Sequence, residues 1–157
     1  MLSGATGQLY GSQYTWQFAP GWQENLDTPG AIQIGYMQSL FNAVAWYNLV
    51  PDQNHQIVTA GYGTFDDSSA MADNNYVSAA GTADGKLAMA YLPVGGTITV
   101  NMAKLSGPVT GQWYDPTSGV FSPLSSSPLA NIGTLQFTPP PTNAGGDQDW
   151  VLVLAAQ

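Results

Sequence analysis

Acidic side chains are the residues of this sequence that could carry general acid and base catalysis. The chain has ten acidic residues, and Glu24 is the only glutamate among them. Hydrolysis of a glycosidic bond normally requires two carboxyl groups that flank the bond. Glu24 could form such a pair with one of the aspartates, but no spacing in the sequence favours a particular partner. Glu24 is therefore an alternative catalytic residue rather than a predicted one.

His55 is the single histidine of the chain, and there is no cysteine. A Ser–His–Asp triad needs an activated serine, and the Gly-x-Ser-x-Gly motif that presents one in many hydrolases is absent. A zinc site would need further histidines or cysteines. The sequence therefore gives no support for a serine hydrolase, and it excludes zinc, disulfides and thiolate chemistry.

Hard oxygen ligands gather in one segment of the chain. Asp66, Asp67 and Asp73 lie close together with serine and asparagine between and beside them. Clustered carboxylates in a loop could hold calcium, although the EF-hand pattern is absent. A solvated acidic loop is the commoner origin of such a cluster, so calcium stays an alternative and we expect no cofactor.

Aromatic side chains offer a different chemistry, since sugar rings stack their apolar faces on tryptophan and tyrosine. Burial in the core is the competing explanation for any single aromatic residue. Trp46, Trp113 and Trp150 lie in predicted regular elements and are expected to be core residues. The candidates for carbohydrate binding are Tyr10, Tyr14, Trp16, Trp22, Tyr62 and Tyr114.

The charge balance removes two classes of partner. Two lysines, no arginine and ten acidic residues give a net charge of −8. Nucleic acids and anionic membrane surfaces are bound through clustered basic residues, so neither is an expected partner. A polar surface with few charges is common among secreted proteins that handle neutral carbohydrate. The N-terminus has no basic and apolar leader, so we expect no signal peptide within this chain.

The elements that would position these residues follow from the apolar periodicity. Residues 1–28 are rich in glycine and aromatics without a strong period, which predicts a loop with a short strand at its start. Thr28 followed by Pro29 predicts a helix start, and a helix is expected over residues 30–47, ending before Pro51. Its apolar residues form two stripes. The first contains Ile34, Met37, Phe41 and Val44, and the second contains Tyr36, Leu40 and Tyr47.

Beyond residue 56 the apolar period changes from 3.6 to 2, which indicates β-strands. Asp84-Gly85 predicts a hairpin turn, and the segment from Asp115 to Gly119 predicts a second turn. The final strand is apolar throughout, as expected when both of its faces are buried. The predicted fold is mainly β, an antiparallel β-sandwich of about eight strands after a loop and one long α-helix. The predicted strands are 57–61, 76–81, 87–92, 97–101, 109–114, 120–123, 134–138 and 150–155.

Three blocks of residues, taken in order, resemble a known family. The first is Gly4-Ala5-Thr6-Gly7-Gln8-Leu9-Tyr10-Gly11 followed by Trp16, the second runs from Pro29-Gly30 through Leu40-Phe41 to residues 46–52, and the third comprises residues 83–85, 90–93, 113–119, 137–139 and 149–154. Together they resemble the C-terminal end of the apiosidase-like glycoside hydrolases. Those enzymes have a (β/α)₈ barrel followed by a small β-sandwich that is labelled a collagen-binding domain.

The resemblance implies that residues 1–52 derive from the last βα unit of the barrel and that residues 53–157 form the appended sandwich. Gln8 stands where the family often has histidine, so the partial active-site loop departs from the family pattern. A complete barrel needs roughly 250 residues. The catalytic carboxyl groups of the family would lie upstream, so the resemblance implies that this chain has no catalytic site of its own.

Three functions remain open at this stage. The first is a non-catalytic accessory module of a secreted glycoside hydrolase, acting outside the cell or in the periplasm, packing on the barrel and contacting neutral carbohydrate. The second is a small free-standing, cellulase-like glycosidase that uses Glu24 and an aspartate. The third is a protein-binding domain, with collagen as the partner that the family label suggests. Because both helix stripes cannot be covered by one sandwich, a homo-oligomer through residues 1–47 is also expected.

Overall fold

A computed structural model describes residues 1–65, 74–124 and 128–157 of the chain. Within these residues there is one α-helix, α1, and it is followed by nine short strands. Their bounds are α1 Pro29–Asn42, β1 Leu49–Pro51, β2 Val58–Ala60, β3 Ser78–Thr82, β4 Leu87–Leu92, β5 Ile98–Asn101, β6 Val109–Tyr114, β7 Phe121–Pro123, β8 Thr134–Phe137 and β9 Trp150–Ala156. No helix in the described ranges is long and apolar enough to cross a membrane.

The strands form two sheets in which every pair is antiparallel. The larger sheet has six strands in the order β1-β3-β4-β9-β6-β7, and the smaller has three in the order β2-β5-β8. This architecture confirms the predicted mainly β, sandwich-like fold with a single long helix. All eight predicted strands are present, and β1 is an additional strand that the sequence did not predict.

The main core lies between the two sheets. Ile98 and Val100 of β5 face it from the smaller sheet, as the alternation with threonine predicted. Leu152 and Leu154 of β9 face it from the larger sheet. Trp113 and Trp150 are both buried in this core, which confirms their predicted structural role.

The outer face of the six-stranded sheet is also covered. Val151 and Val153 of β9 belong to a second apolar cluster, which contains Leu40 and Phe41 of α1. Since successive side chains of a strand point to opposite faces, β9 is buried on both. The predicted burial of both faces of the final strand is therefore confirmed, and the structure shows that the smaller sheet covers one face and α1 the other.

The predicted bounds of the helix were wrong at its C-terminal end. It starts at Pro29 but ends at Asn42, well before Pro51, and a 3-10 turn follows at Trp46–Asn48. The chain has to leave the helix early because Leu49–Pro51 must run extended to pair with β3. Thr28 precedes the helix in an extended conformation, but its side chain makes no capping hydrogen bond.

The division of the helix into two apolar stripes was also wrong. Tyr36 and Leu40, which were assigned to a second stripe, belong to the same cluster as Met37, Phe41 and Val44. Residues 36–37, 40–41 and 44 recur at helical spacing, so they form one face, and that face packs on the sheet. Nor do residues 1–28 contain the predicted short strand; their one regular element is a 3-10 helix at Trp22–Asn25.

Candidate functional site

A cleft of about 570 Å³ lies between the N-terminal segment, α1 and the outer face of the six-stranded sheet. Ligand sites typically have volumes of about 300–1,000 Å³ and an apolar lining with a few convergent polar groups. The apolar lining here is Met1, Leu2, Ile34, Met37, Leu40, Phe41, Pro116 and Val151, and the polar or aromatic lining is Ser3, Tyr10, Gln33, Ser78, Tyr91, Tyr114, Thr117, Asp147 and Asp149. This composition makes the cleft the best candidate for a binding site.

The helix that forms one wall of the cleft is fixed to the sandwich by two contacts of Tyr36. The Tyr114 hydroxyl donates a hydrogen bond of 2.8 Å to the backbone carbonyl of Tyr36. The Tyr36 ring lies directly over Gly119, where a Cβ would come within 2.8 Å of a ring carbon. Gly119 also has φ +73°, which glycine adopts without strain. The predicted turn from Asp115 to Gly119 therefore positions the helix as well as reversing the chain.

The same turn is organised by a buried carboxylate. Asp115 is 5% exposed and accepts five hydrogen bonds of 2.6–3.2 Å. Four come from the backbone and side chains of Thr117 and Ser118, and the fifth comes from the backbone N–H of Ala144. Burial raises the pKa of the Asp115 carboxyl, but the hydrogen bonds outweigh it and hold the pKa at about 2. Asp115 thus ties the turn to the loop before β9.

Asn143 organises that second loop. Its side-chain oxygen accepts hydrogen bonds of 3.0 Å from the backbone N–H groups of Gly145 and Asp147. Its side-chain nitrogen donates to a carboxylate oxygen of Asp149 over 2.7 Å. Asn143 is 7% exposed. Asp115 and Asn143 are the two buried polar or charged residues in the described part of the chain. Both of these residues hold the rim of the cleft in place.

Tyr91 and Asp149 form a hydrogen-bonded pair of titratable groups in the cleft. The Tyr91 hydroxyl donates to a carboxylate oxygen of Asp149 over 3.2 Å. Burial raises the pKa of Tyr91 to about 12, and the nearby charge of Asp149 adds to the effect. Burial also raises the pKa of the Asp149 carboxyl, against the lowering effect of the Tyr91 hydrogen bond. Desolvated hydrogen-bonding groups of this kind mark binding sites more often than solvated surface does.

Tyr10 stands at the opposite rim. Its ring packs over Gly30 in the first turn of α1, where a Cβ would lie 2.7 Å from the tyrosine hydroxyl. The same hydroxyl is 3.2 Å from the Thr28 hydroxyl, so the two form a hydrogen bond. The ring remains 44% exposed. Tyr10 is therefore a partly fixed, accessible aromatic side chain beside the cleft.

The cleft brings together only two of the six aromatic residues predicted to bind carbohydrate. Tyr10 lines it as an accessible ring, whereas the Tyr114 side chain is 2% exposed and its hydroxyl is bonded to the Tyr36 carbonyl. Tyr62 lies elsewhere and stacks on His55, with ring centroids 3.6 Å apart. The lining does not include Tyr14, Trp16 or Trp22.

The predicted alternatives for catalysis and metal binding gain no geometric support. Glu24 is exposed on the 3-10 helix Trp22–Asn25 and does not line the cleft that contains Asp147 and Asp149. The calcium candidates Asp66, Asp67 and Asp73 lie outside the described residues. Within the described part of the chain, no group of three acidic or histidine side chains could hold a metal ion.

Tyr91, Gln33 and Asp149 are the cleft residues that the sequence did not predict. For Asp149 the one signal in the sequence is the closeness of a second carboxylate, Asp147, in the glycine-containing segment before the last predicted strand. Tyr91 sits in an apolar strand and could be recognised only through the pairing of β4 with β9. Gln33 lies among the apolar residues of α1 without any local pattern that distinguishes it.

Comparison with solved structures shows where this fold occurs. A glycoside hydrolase family 5 structure from Bacteroides vulgatus ATCC 8482 matches 86% of the chain with a TM-score of 0.67 and 20% identity. A second structure, described as a glycoside hydrolase, matches 99% of the chain with a TM-score of 0.67 and 22% identity. The chain spans only 26% and 30% of the lengths of these two proteins. A search of curated proteins finds no match.

A protein-family profile matches residues 50–155, which is most of the chain and nearly the whole of the sandwich. The match starts in β1 and ends in β9, so it includes both sheets and every residue of the two loops that Asp115 joins. The chain belongs to the family described as "Putative collagen-binding domain of a collagenase".

Proposed function

We propose that this chain is a non-catalytic accessory module of a glycoside hydrolase, which packs against a catalytic (β/α)₈ barrel through its N-terminal residues and contacts carbohydrate. In this proposal residues 1–52 derive from the last βα unit of the barrel and residues 53–157 are the appended sandwich, whose six-stranded sheet takes β1 as an edge strand. The place of action is extracellular or periplasmic. Family membership and the likeness to part of two glycoside hydrolases support the proposal.

The observation that carries it is the uneven distribution of exposed apolar side chains. Of the fourteen large apolar side chains that are exposed among the described residues, nine lie in residues 1–50. Leu9 is 91% exposed and Trp16 is 74% exposed. Burying one such side chain stabilises a protein by roughly 1.5–3 kcal/mol, so leaving several of them in water is costly. We define the N-terminal apolar surface as Leu9, Tyr14, Trp16, Phe18 and Leu26.

The sandwich exposes fewer large apolar side chains, the remaining five of the fourteen. Its inner core is closed by the two sheets, and the outer face of its larger sheet is covered by α1. Contiguous exposed apolar surface commonly marks an interface with another protein. A barrel docked on the N-terminal apolar surface would cover the side chains that the sandwich leaves open, whereas a free-standing domain gives no reason for them.

Docking is tested by self-association of the purified chain, because a second copy is the nearest substitute for an absent barrel. Sedimentation velocity over a concentration series is expected to show reversible dimers or larger oligomers. The double variant L9S/W16S should shift the chain to monomer. The matched control V120S/I132S removes two exposed apolar side chains of the sandwich and should leave the association unchanged. A monomeric wild-type chain, or equal effects of both double variants, would count against the docking surface.

The non-catalytic character is tested by turnover. The purified chain should release no reducing sugar from cellulose, xylan or mannan above the background of a blank preparation. E24Q and D149N, with D27N as an exposed carboxylate control, should behave like the wild type. Hydrolysis that disappears in E24Q or D149N but persists in D27N would instead establish the free-standing glycosidase.

Collagen binding is a second candidate, and the family description is the observation that favours it. The net charge of −8 would have to be matched by basic residues of the collagen triple helix. Retention of the purified chain on immobilised type I collagen, lost at high salt, would support this candidate. Equal recovery from collagen-coated and albumin-coated surfaces would remove it.

A further inference from the structure

We propose that the cleft between α1 and the six-stranded sheet binds a short neutral oligosaccharide, with the Tyr91–Asp149 pair contacting sugar hydroxyls and Tyr10 contacting a sugar face. The inference rests on the proposed role as a glycoside hydrolase module and makes it specific. It assigns carbohydrate contact to one site and to residues on three elements. It also removes that role from Tyr14, Trp16 and Trp22, which do not line the cleft.

The polar lining of the cleft has the donors and acceptors that a sugar requires. The Asp149 carboxylate is an acceptor, and the Tyr91 hydroxyl can donate to it and also accept from a ligand. Gln33 adds an amide that both donates and accepts, from the opposite wall on α1. Tyr91 and Asp149 are only half-buried, so both keep surface that a ligand can reach.

The apolar lining complements the C–H face of a sugar ring. Met1, Ile34 and Met37 are partly exposed and provide aliphatic surface inside the cleft. Tyr10 adds an accessible ring at the rim, and its packing on Gly30 limits the orientations that the ring can take. Fixing an aromatic side chain before binding reduces the entropy that binding would otherwise cost.

The charges of the cleft select against acidic sugars. Its lining includes the carboxylates of Asp147 and Asp149, and neither of the two lysines of the chain is among the lining residues. With a net charge of −8 on the whole chain, an anionic ligand would be repelled at long range as well as at the site. A neutral, hydroxyl-rich ligand meets both the polar and the apolar lining without this penalty.

Hydrogen bonds from buried side chains hold the rim of the cleft in place. Two buried polar side chains, Asp115 and Asn143, make the hydrogen bonds that hold the turn and the loop together. This turn and loop carry the cleft residues Thr117, Asp147 and Asp149. Burying a polar group costs free energy unless its hydrogen bonds are satisfied, and here they are. Supporting hydrogen bonds of this kind are what keep binding residues in a productive geometry.

The test uses cellotriose, xylotriose and mannotriose as neutral probes and trigalacturonate as an anionic comparator, with binding followed by ¹H–¹⁵N chemical shifts. A neutral probe is expected to shift the side-chain amides of Gln33 and Asn143, and trigalacturonate is not. Y91F should weaken binding by about 2- to 12-fold through loss of one hydrogen bond. Y47F is the matched control, because Tyr47 is exposed outside the cleft, and it should leave the affinity unchanged.

Three results would overturn the assignment. They are the absence of shifts at the cleft with every neutral probe, shifts that map to Trp16 or Trp22 instead, and an affinity that Y91F does not change. Any of these would leave the accessory-module proposal standing if the chain still self-associates through residues 9–26 and hydrolyses nothing. Hydrolysis of a probe that E24Q abolishes would overturn the accessory-module proposal itself, whatever the cleft binds.

Discussion

Replacing Asp115 with asparagine should destabilise the chain in a way that depends on pH. The native pKa of Asp115 is about 2 against an ordinary value of 3.8, a difference of about 1.8 pH units. At 1.36 kcal/mol per unit this corresponds to about 2 kcal/mol. In addition, an asparagine amide facing the Ala144 N–H would leave that donor unpaired, at a cost of about 1–3 kcal/mol.

The two contributions overlap, so D115N should lower the free energy of unfolding by about 2–3 kcal/mol at pH 7 and the Tm by about 5–10 °C. A depressed carboxyl pKa stabilises the folded state above the unfolded pKa, and this contribution is lost as pH falls from about 4 to about 2. At pH 3 the difference between wild type and D115N should therefore shrink by about 1 kcal/mol. Urea unfolding at pH 7 and pH 3 measures both values.

The exposed residue Asp27 supplies the control, and D27N should stay within about 0.5 kcal/mol of wild type at both pH values. If D115N and wild type have the same free energy of unfolding at pH 7, the proposed role of the carboxylate in joining the two loops is wrong. If the difference is large but equal at pH 7 and pH 3, the packing of residue 115 matters and its charge does not.

Other perturbations test the remaining contacts of the cleft. G119A should lower the free energy of unfolding by about 1–3 kcal/mol more than G133A does. Both glycines have positive φ, but only a Cβ at residue 119 would meet a ring, that of Tyr36. Equal losses of stability in thermal unfolding would contradict the contact. Y114F should lose about 1 kcal/mol with its hydrogen bond to the Tyr36 carbonyl, and an unchanged free energy of unfolding would argue against it. The pKa of Tyr91 is raised from 10.0 to about 12. The difference in tyrosinate absorbance between wild type and Y91F should therefore titrate with a midpoint near pH 12. The stability contributed by neutral Tyr91 should be lost as the pH rises from 10 to 12. A midpoint near pH 10 would mean that Tyr91 is solvated.

Local sequence signals predicted those parts of the fold that local chemistry decides. Gly85 adopts φ +69° in the hairpin predicted from Asp84-Gly85, and its N–H donates to the carbonyl of Thr82. The continuous apolar run of β9 predicted a strand buried on both faces, and the two clusters on either side of it explain why. In each case the residue types themselves restrict the backbone or the environment.

The missed features depend on contacts between distant residues. Leu49–Pro51 is too short to show a period, and it is a strand only because β3 offers it a pairing edge. Tyr91 and Asp149 are 58 positions apart and meet because Leu92 pairs with Trp150 in the β4–β9 register. Asp115 could be predicted as a turn residue, but its bond to the Ala144 N–H could not, because no local pattern links the two loops.

The central claim is that the N-terminal apolar surface is a docking face left uncovered in the isolated chain. Amide hydrogen exchange of the purified chain at low micromolar and at near-millimolar concentration tests it directly, residue by residue. The claim predicts fast exchange over residues 9–26 at low concentration and clear protection of the same residues at high concentration, with the strands unchanged. Protection of residues 9–26 that is already high when dilute, or that does not depend on concentration while other regions do, would contradict it.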